Sequence, residues 1–425
     1  IQEKNGEDDC NRYIISNSDD LWSVLFVYGL FRWCGWADKP ITFDIVPLFE
    51  TMKGMTGSQS IMEALIDLPA YREHLRSRRD LQTIMLGFSD GTKDGGYLKA
   101  NWSIFRTKET LSQVCRDHGV RAIFFDGRGG PPARGGGKTH RFDAAHTPEI
   151  ANNEIQLTVQ GQTITSTFGT REQFMHNSEQ LLTAGLSNAI FGKENIITPQ
   201  QRDLIEKLSE ISYGKYTDLK NHEKFVPYLE HRSTLKYYSN ANIGSRPGKR
   251  GNKKKLELSD LRAISFVGSW SQLKQNVPGY FGIGTALSAL KKEGRMGELQ
   301  ALFREVAFFK ALMLNSMMSL TKSYFELTRY MKDDPVYGEF WNILYEEYQL
   351  SKELLLEVSE CDVLMEDELV SRESIKIRER IVLPLLVIQQ YALQKIGEGT
   401  ANRELYEKIV TRSLYGNINA SRNSA

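Results

Sequence analysis

Two acidic residues stand where hydrophobic runs end, the kind of position from which a carboxylate can hold a dication. Glu50 closes the run Phe43-Asp-Ile-Val-Pro-Leu-Phe, and Asp90 follows Thr83-Ile-Met-Leu-Gly-Phe in GFSDGTKDGG. They are 90 − 50 = 40 residues apart, roughly one strand–helix unit with its loops. Two oxygens from neighbouring strand ends, with water and a substrate phosphate completing the shell, suit Mg²⁺ or Mn²⁺. Each would equally serve as the cap of a following helix, so position alone leaves both readings open. A third feature is FDGRGGPPARGGG, with six glycines and two arginines within 127–137. The glycines let backbone approach a ligand while Arg128 and Arg134 reach an anion; the alternative is a loop with no fixed structure. It is not a GxxxxGK[ST] loop, because Gly137-Lys-Thr lacks the upstream glycine. Arg246 and Arg262, in and beside the basic segment 244–260, add positive charge, although each alone is an ordinary surface arginine.

The elements that must position these residues read as two regimes. Up to about residue 270, short β-type runs alternate with helix-like stretches (58–81, 108–118) and glycine-rich loops. Runs at 43–49, 83–88, 121–125 and 154–159 are the clear strand candidates, and 262–267 is a weaker fifth. Alternation predicts parallel βα units. Functional residues just after successive parallel strands describe the C-terminal mouth of a βα barrel. Four or five strands cannot close an eight-stranded barrel, so the rest is expected from an N-terminal part, in keeping with a chain that starts at Ile1 rather than Met. From about 294 onward the pattern is helical (298–331, 336–359, 366–395), with Pro384 marking a kink or a break. The expected fold is therefore α/β and predominantly helical: the C-terminal half of a (β/α)8 barrel over 1–290, then an α-helical bundle over 291–425. Segments 127–137 and 244–260 have few apolar anchors and are expected to be mobile.

Composition sets the outer bounds. Lys+Arg 54 against Asp+Glu 53 leaves a net charge of +1, no global field for nucleic acid or an acidic membrane. Cys10, Cys34, Cys115 and Cys361 show no paired spacing and read as thiols of a reducing cytoplasm. The longest apolar run, 21–31, falls short of the ~20 residues of a membrane span and reads as a core helix.

GFSDGTKDGGYLKANW, FDGRGGPPARGGG, VQGQTI, GSRPGKR, LRAISFVGSWSQ and the terminal NASRNSA occur here in the order found in phosphoenolpyruvate carboxylases, which this chain resembles from PLFET to its last residue. The resemblance implies conversion of phosphoenolpyruvate and bicarbonate to oxaloacetate and phosphate with Mg²⁺ or Mn²⁺, by a homotetramer. It implies that Glu50 and Asp90 are metal ligands and that Lys93 is catalytic, helping to hold bicarbonate and developing charge. Arg128 and Arg262 would hold the substrate phosphate, Arg134 would assist bicarbonate or carboxyphosphate, and Arg246 is a further functional arginine.

The departures are informative. The family reads F-H-G-R-G-G where this chain has Asp126, which can position the loop but cannot act as a neutral-pH base. The family's essential histidine, in an H-P-T motif, belongs to the N-terminal half, as does one further substrate arginine; neither occurs here. The resemblance also implies an aspartate effector site with Arg134, Arg378 and Asn423. There the family's lysine is replaced by Thr321, with Lys322 one step on, which counts against aspartate control. Two functional classes follow: an enzyme half that works with its N-terminal half, or a non-catalytic assembly subunit. Paired carboxylates beside paired arginines favour the first.

Overall fold

The structure, a computed structural model, describes residues 1–8, 10–150, 154–159, 161–191, 196–238 and 256–421. Five parallel strands form one sheet in sequence order: β1 Arg12–Ile15, β2 Asp44–Phe49, β3 Leu81–Gly87, β4 Arg121–Gly127 and β5 Gln156–Leu157. β3 and β4 pair over their whole length, from Leu81 opposite Arg121 to Gly87 opposite Gly127. Central strands are buried on both faces, which is why β2 and β3 read as continuous apolar runs rather than alternating ones. The exception, Gln82, is accommodated by hydrogen bonds: its Nε2 donates to Ile45 O (3.0 Å) and its Oε1 accepts from Tyr71 OH (2.9 Å).

Helices fill the connections and most of the remaining chain, so the protein is a mostly helical α/β fold. Between β2 and β3 run helices Met52–Asp67 and Pro69–Ser77, the first capped by Thr51, whose hydroxyl accepts from Gly54 N at 2.9 Å. Helices Phe88–Gly95 and Tyr97–Asp117 join β3 to β4. The later helices pack directly onto this layer: the ring of Phe308 of helix Ala307–Thr321 lies 4.2 Å from that of Phe105, and one apolar core runs from Val24 to Ile375.

Three expectations are corrected and one strand is new. Residues 262–267 are not a strand but open helix Ala263–Gln272; Ala263, Phe266, Val267 and Trp270 recur at helical spacing and are all buried. Strand β1 has no clear signal in the sequence, being four residues and largely exposed. The apolar run 21–31 does form a helix, Leu21–Trp33, yet only Val24 of it is buried, while Trp22, Phe26, Leu30 and Trp33 are exposed. Pro384 makes no break: helix Leu369–Gly397 continues through it. Among the described residues no helix is long and apolar enough to cross a membrane.

Candidate active site

The site is built at the carboxyl ends of β2, β3 and β4. Glu50 follows β2 directly, is buried, and its Oε1 accepts a hydrogen bond from Asn17 N at 3.0 Å. Its neighbour on β3 is Gly87: a Cβ there would lie 2.4 Å from Glu50 Cβ, so only glycine lets the two strand ends approach this closely. Helix Phe88–Gly95 starts at the end of β3 and presents Asp90 in its first turn and Lys93 in its last. They are ion-paired at 3.2 Å, three residues apart on one helix face. Lys93 is buried and also donates to Leu261 O at 2.8 Å, tying this helix to the residue before Arg262. Arg262 is partly buried and precedes helix Ala263–Gln272.

At the end of β4 the glycine loop folds back on itself. Gly129 N donates to Arg134 O (2.6 Å) and Gly136 N to Pro131 O (2.9 Å), while Asn315 Nδ2 donates to Gly136 O (3.0 Å) from the later helices. What holds the loop is polar rather than apolar, and the arginines themselves supply it. Both are buried; Arg128 stacks on Phe88 with its guanidinium carbon 4.2 Å from the ring centroid. Arg134 Nε donates to Ser89 Oγ at 3.1 Å. Burial pushes the Arg134 pKa down to about 10 although Asp90 pulls it up, so it remains a cation at neutral pH. Gly135 has φ 78°, and a Cβ there would lie within 2.6 Å of Phe88, so this turn accepts glycine alone.

Asp126, the last residue but one of β4, is buried. Burial alone would raise its pKa, but Lys108 and Arg128 outweigh that and hold it at about 2, so it is a carboxylate. An adjoining cavity of about 300 Å³ is lined by Arg128, Lys138, His140, Thr158, His176 and Asn177 among others.

The structure thus brings Glu50, Asp90, Lys93, Arg128 and Arg134 to one end of the sheet, with Arg262 attached through Leu261. Arg246 and Asn423 lie outside the described residues. Arg378 lines a different cavity with Lys274, Lys322, Glu379 and Asn417, and Arg134 is not among its lining residues. Lys322, not Thr321, faces that cavity; Thr321 Oγ1 donates back to Met317 O at 2.7 Å. Sequence reasoning missed Lys108, Asp143 and His146. Lys108 had a signal: it shares the inward register of Phe105, Leu111 and Cys115 on helix Tyr97–Asp117, where a lysine is out of place unless paired. Among the described residues no group of three or more His, Cys, Asp or Glu forms a metal cluster. Two carboxylates, however, fit a dication that keeps waters and takes substrate oxygens.

A family profile described as Phosphoenolpyruvate carboxylase matches residues 1–421. Phosphoenolpyruvate carboxylase of Corynebacterium diphtheriae is 33% identical over 423 residues, covering 97% of this chain and 46% of the relative. That of Nitrosomonas eutropha is 31% identical over 440 residues, covering 100% and 47%. The Prochlorococcus marinus enzyme is 31% identical over 429 residues, covering 97% and 43%. The chain spans a little under half the length of the curated relatives it matches. A match along virtually its whole length, joined to these strand-end residues, makes the chain a member of the phosphoenolpyruvate carboxylase family.

Proposed function

We propose that this chain is the half of a carboxylase that carries the dication ligands and most of the anion-binding arginines, and that the complete enzyme makes oxaloacetate and phosphate from phosphoenolpyruvate and bicarbonate. The convergence of Glu50, Asp90, Lys93, Arg128 and Arg134 at three adjacent strand ends carries this reading. Glu50 and Asp90 would hold Mg²⁺ or Mn²⁺, which when bound supplies positive charge to stabilise an enolate oxygen. Arg128 and Arg262 hold the substrate phosphate, with Arg246 as a further cation. Arg134 and Lys93 orient bicarbonate so that its oxygen attacks phosphorus as the bond to the enolate oxygen breaks. Carboxyphosphate then releases CO₂ and phosphate, and the enolate carbon captures the CO₂. Buried arginines and a closed glycine loop keep water, and so a stray proton, away from the enolate.

The fold reading is half of a (β/α)8 barrel (1–290) followed by a helical bundle (291–425). It is supported by apolar side chains exposed at both edges of the sheet. Tyr13 lies on β1 and Trp22, Phe26, Leu30 and Trp33 on the helix after it, while Ile155 and Val159 flank β5 and Leu182, Leu186 and Ile190 lie on helix Arg171–Phe191. One occupant that closes the barrel, the N-terminal half with its histidine, would cover both. The homotetramer of the family and a cytoplasmic location, suited to four free thiols, complete the proposal.

A second reading concerns control. Lys322 is half-buried with its Nζ shielded and, among the described residues, without a hydrogen-bond partner; burial, then Lys274 and Arg378, push its pKa down to about 8. A dicarboxylate entering that cavity would relieve the repulsion, which supports aspartate binding there despite Thr321.

The decisive assay is oxaloacetate formation from phosphoenolpyruvate, bicarbonate and Mg²⁺. The chain alone should not turn over, and adding the N-terminal half in trans should restore activity. Full turnover by the isolated chain would overturn the division of the site; none with both halves present would overturn the carboxylase reading.

A further inference from the structure

Arg128 does not meet a ligand alone. Its Nε and Nη2 donate to Asp126 Oδ2 at 3.1 and 2.8 Å, and Nη1 donates to Gly135 O at 3.0 Å. An arginine paired in this way with a buried carboxylate uses three of its five N–H donors and forms a pair of zero net charge, a poor attractor for a phosphate dianion. Behind Asp126 stands Lys108, almost fully buried on helix Tyr97–Asp117. Its Nζ donates to Asp126 Oδ2 at 3.0 Å and lies 2.9 Å from Oδ1. Two more groups face the cluster. His146 Nε2 is 3.5 Å from Lys108 Nζ, and burial keeps that imidazole neutral. Asp143 Oδ1 is 4.0 Å from Arg128 Nη2, with its pKa raised by burial.

We propose that Lys108 is a positioning residue for phosphate binding: by clamping Asp126 from behind it fixes the Arg128 guanidinium and offsets the carboxylate's charge at the end of β4. Lys108 and Arg128 stand against Asp126 and Asp143, so removing Lys108 leaves Arg128 alone facing two acidic groups. A buried carboxylate held against Arg128 cancels that cation unless a second one stands behind it, so Lys108 and Asp126 act as one device. Lys108 reaches the ligand only through Asp126 and Arg128. The inference rests on Arg128 as a phosphate ligand, the reading proposed above.

The test compares the chain with Lys108→Met, and with Lys108→Met combined with Asp126→Asn. The double variant removes both charges, keeps an acceptor for Arg128, and leaves no uncompensated buried carboxylate. Two measurements are made: the NMR signal of the Arg128 Nε–H, which reports whether the guanidinium is held, and titration with inorganic phosphate. The inference expects a sharp Nε–H signal in the parent chain and its loss by broadening or exchange in Lys108→Met. It also expects at least tenfold weaker phosphate binding in that variant, with fold stability and most of the Nε–H signal recovered in the double variant. Should Lys108→Met fail to fold, the double variant still decides: with both charges gone and Arg128 held by the amide, the inference expects phosphate affinity within a few-fold of the parent's, and binding at least tenfold weaker there overturns it. An unchanged Nε–H and unchanged affinity in Lys108→Met overturn it too. If Lys108→Met loses the signal but the parent itself binds no phosphate, positioning by Lys108 stands and the phosphate role of Arg128 is what fails.

Discussion

Replacing Gly87 by alanine tests the metal site without touching a ligand. The backbone raises no objection: Gly87 has φ −97° and ψ 99°, open to any residue. The new Cβ, however, would sit 2.4 Å from Glu50 Cβ and 3.0 Å from its Cα. Carbon atoms rest at about 3.5–4 Å, so the two strand ends must separate by about 1 Å. Rotating the Glu50 side chain cannot help, because the clash is with its root, and Phe49 is locked in register opposite Leu86. Overpacking of this kind costs about 1–3 kcal/mol. Disturbing the support of a metal ligand typically weakens binding by about 10–100-fold. The assay is Mn²⁺ titration followed by the electron paramagnetic resonance of the free ion, paired with thermal unfolding. Gly214→Ala is the control. That glycine is exposed inside helix Pro199–Asn221 with nothing within 4 Å of a new Cβ. It should gain about 0.5–1 kcal/mol from helix propensity and bind Mn²⁺ as before. A Gly87→Ala protein that melts and binds Mn²⁺ like the parent would refute the packing of Gly87 on Glu50 as the support of a metal site.

In the reconstituted enzyme, Glu50→Gln or Asp90→Asn should abolish oxaloacetate formation while circular dichroism stays unchanged; normal turnover in either would remove that residue from the metal site. Asp126, ordinarily at 3.8 and held here at about 2, contributes about 2 kcal/mol of stability above pH 4, and this is lost as pH falls from about 4 to 2. Asp126→Asn should therefore flatten that part of the acid-denaturation curve, and a curve as steep as the parent's would show that another carboxylate is responsible. Aspartate binding should weaken as pH rises through about 8, where Lys322 loses its proton, and Lys322→Met should lose binding at all pH values. Calorimetric titration at pH 7 and 9 checks both, and equal affinities at the two values would exclude Lys322 from the site.

Much of the candidate site could be proposed from the sequence because it is local. Glu50, Asp90, Lys93 and Arg128 follow strands whose apolar character comes from burial on both faces, so strand ends and chemistry could be read together. The order of six motifs identified the family, since spacing along a chain needs no coordinates. The helix at Ala263–Gln272 was also written in the sequence, in the spacing of Ala263, Phe266, Val267 and Trp270, but the β-prone Ile-Ser-Phe-Val run masked it. Other features were decided only by tertiary structure. The exposure of Trp22, Phe26 and Trp33 depends on what lies beyond β1, and their apolar character alone reads as core. Which of Thr321 and Lys322 faces a cavity is settled by one turn of helix packing, since Thr321 bonds back to its own helix. The partnership of Lys108 with Asp126 spans 18 residues and two elements. A lysine's long stem packs like a hydrophobe, and only the folded core supplies the carboxylate that makes burying its charge tolerable.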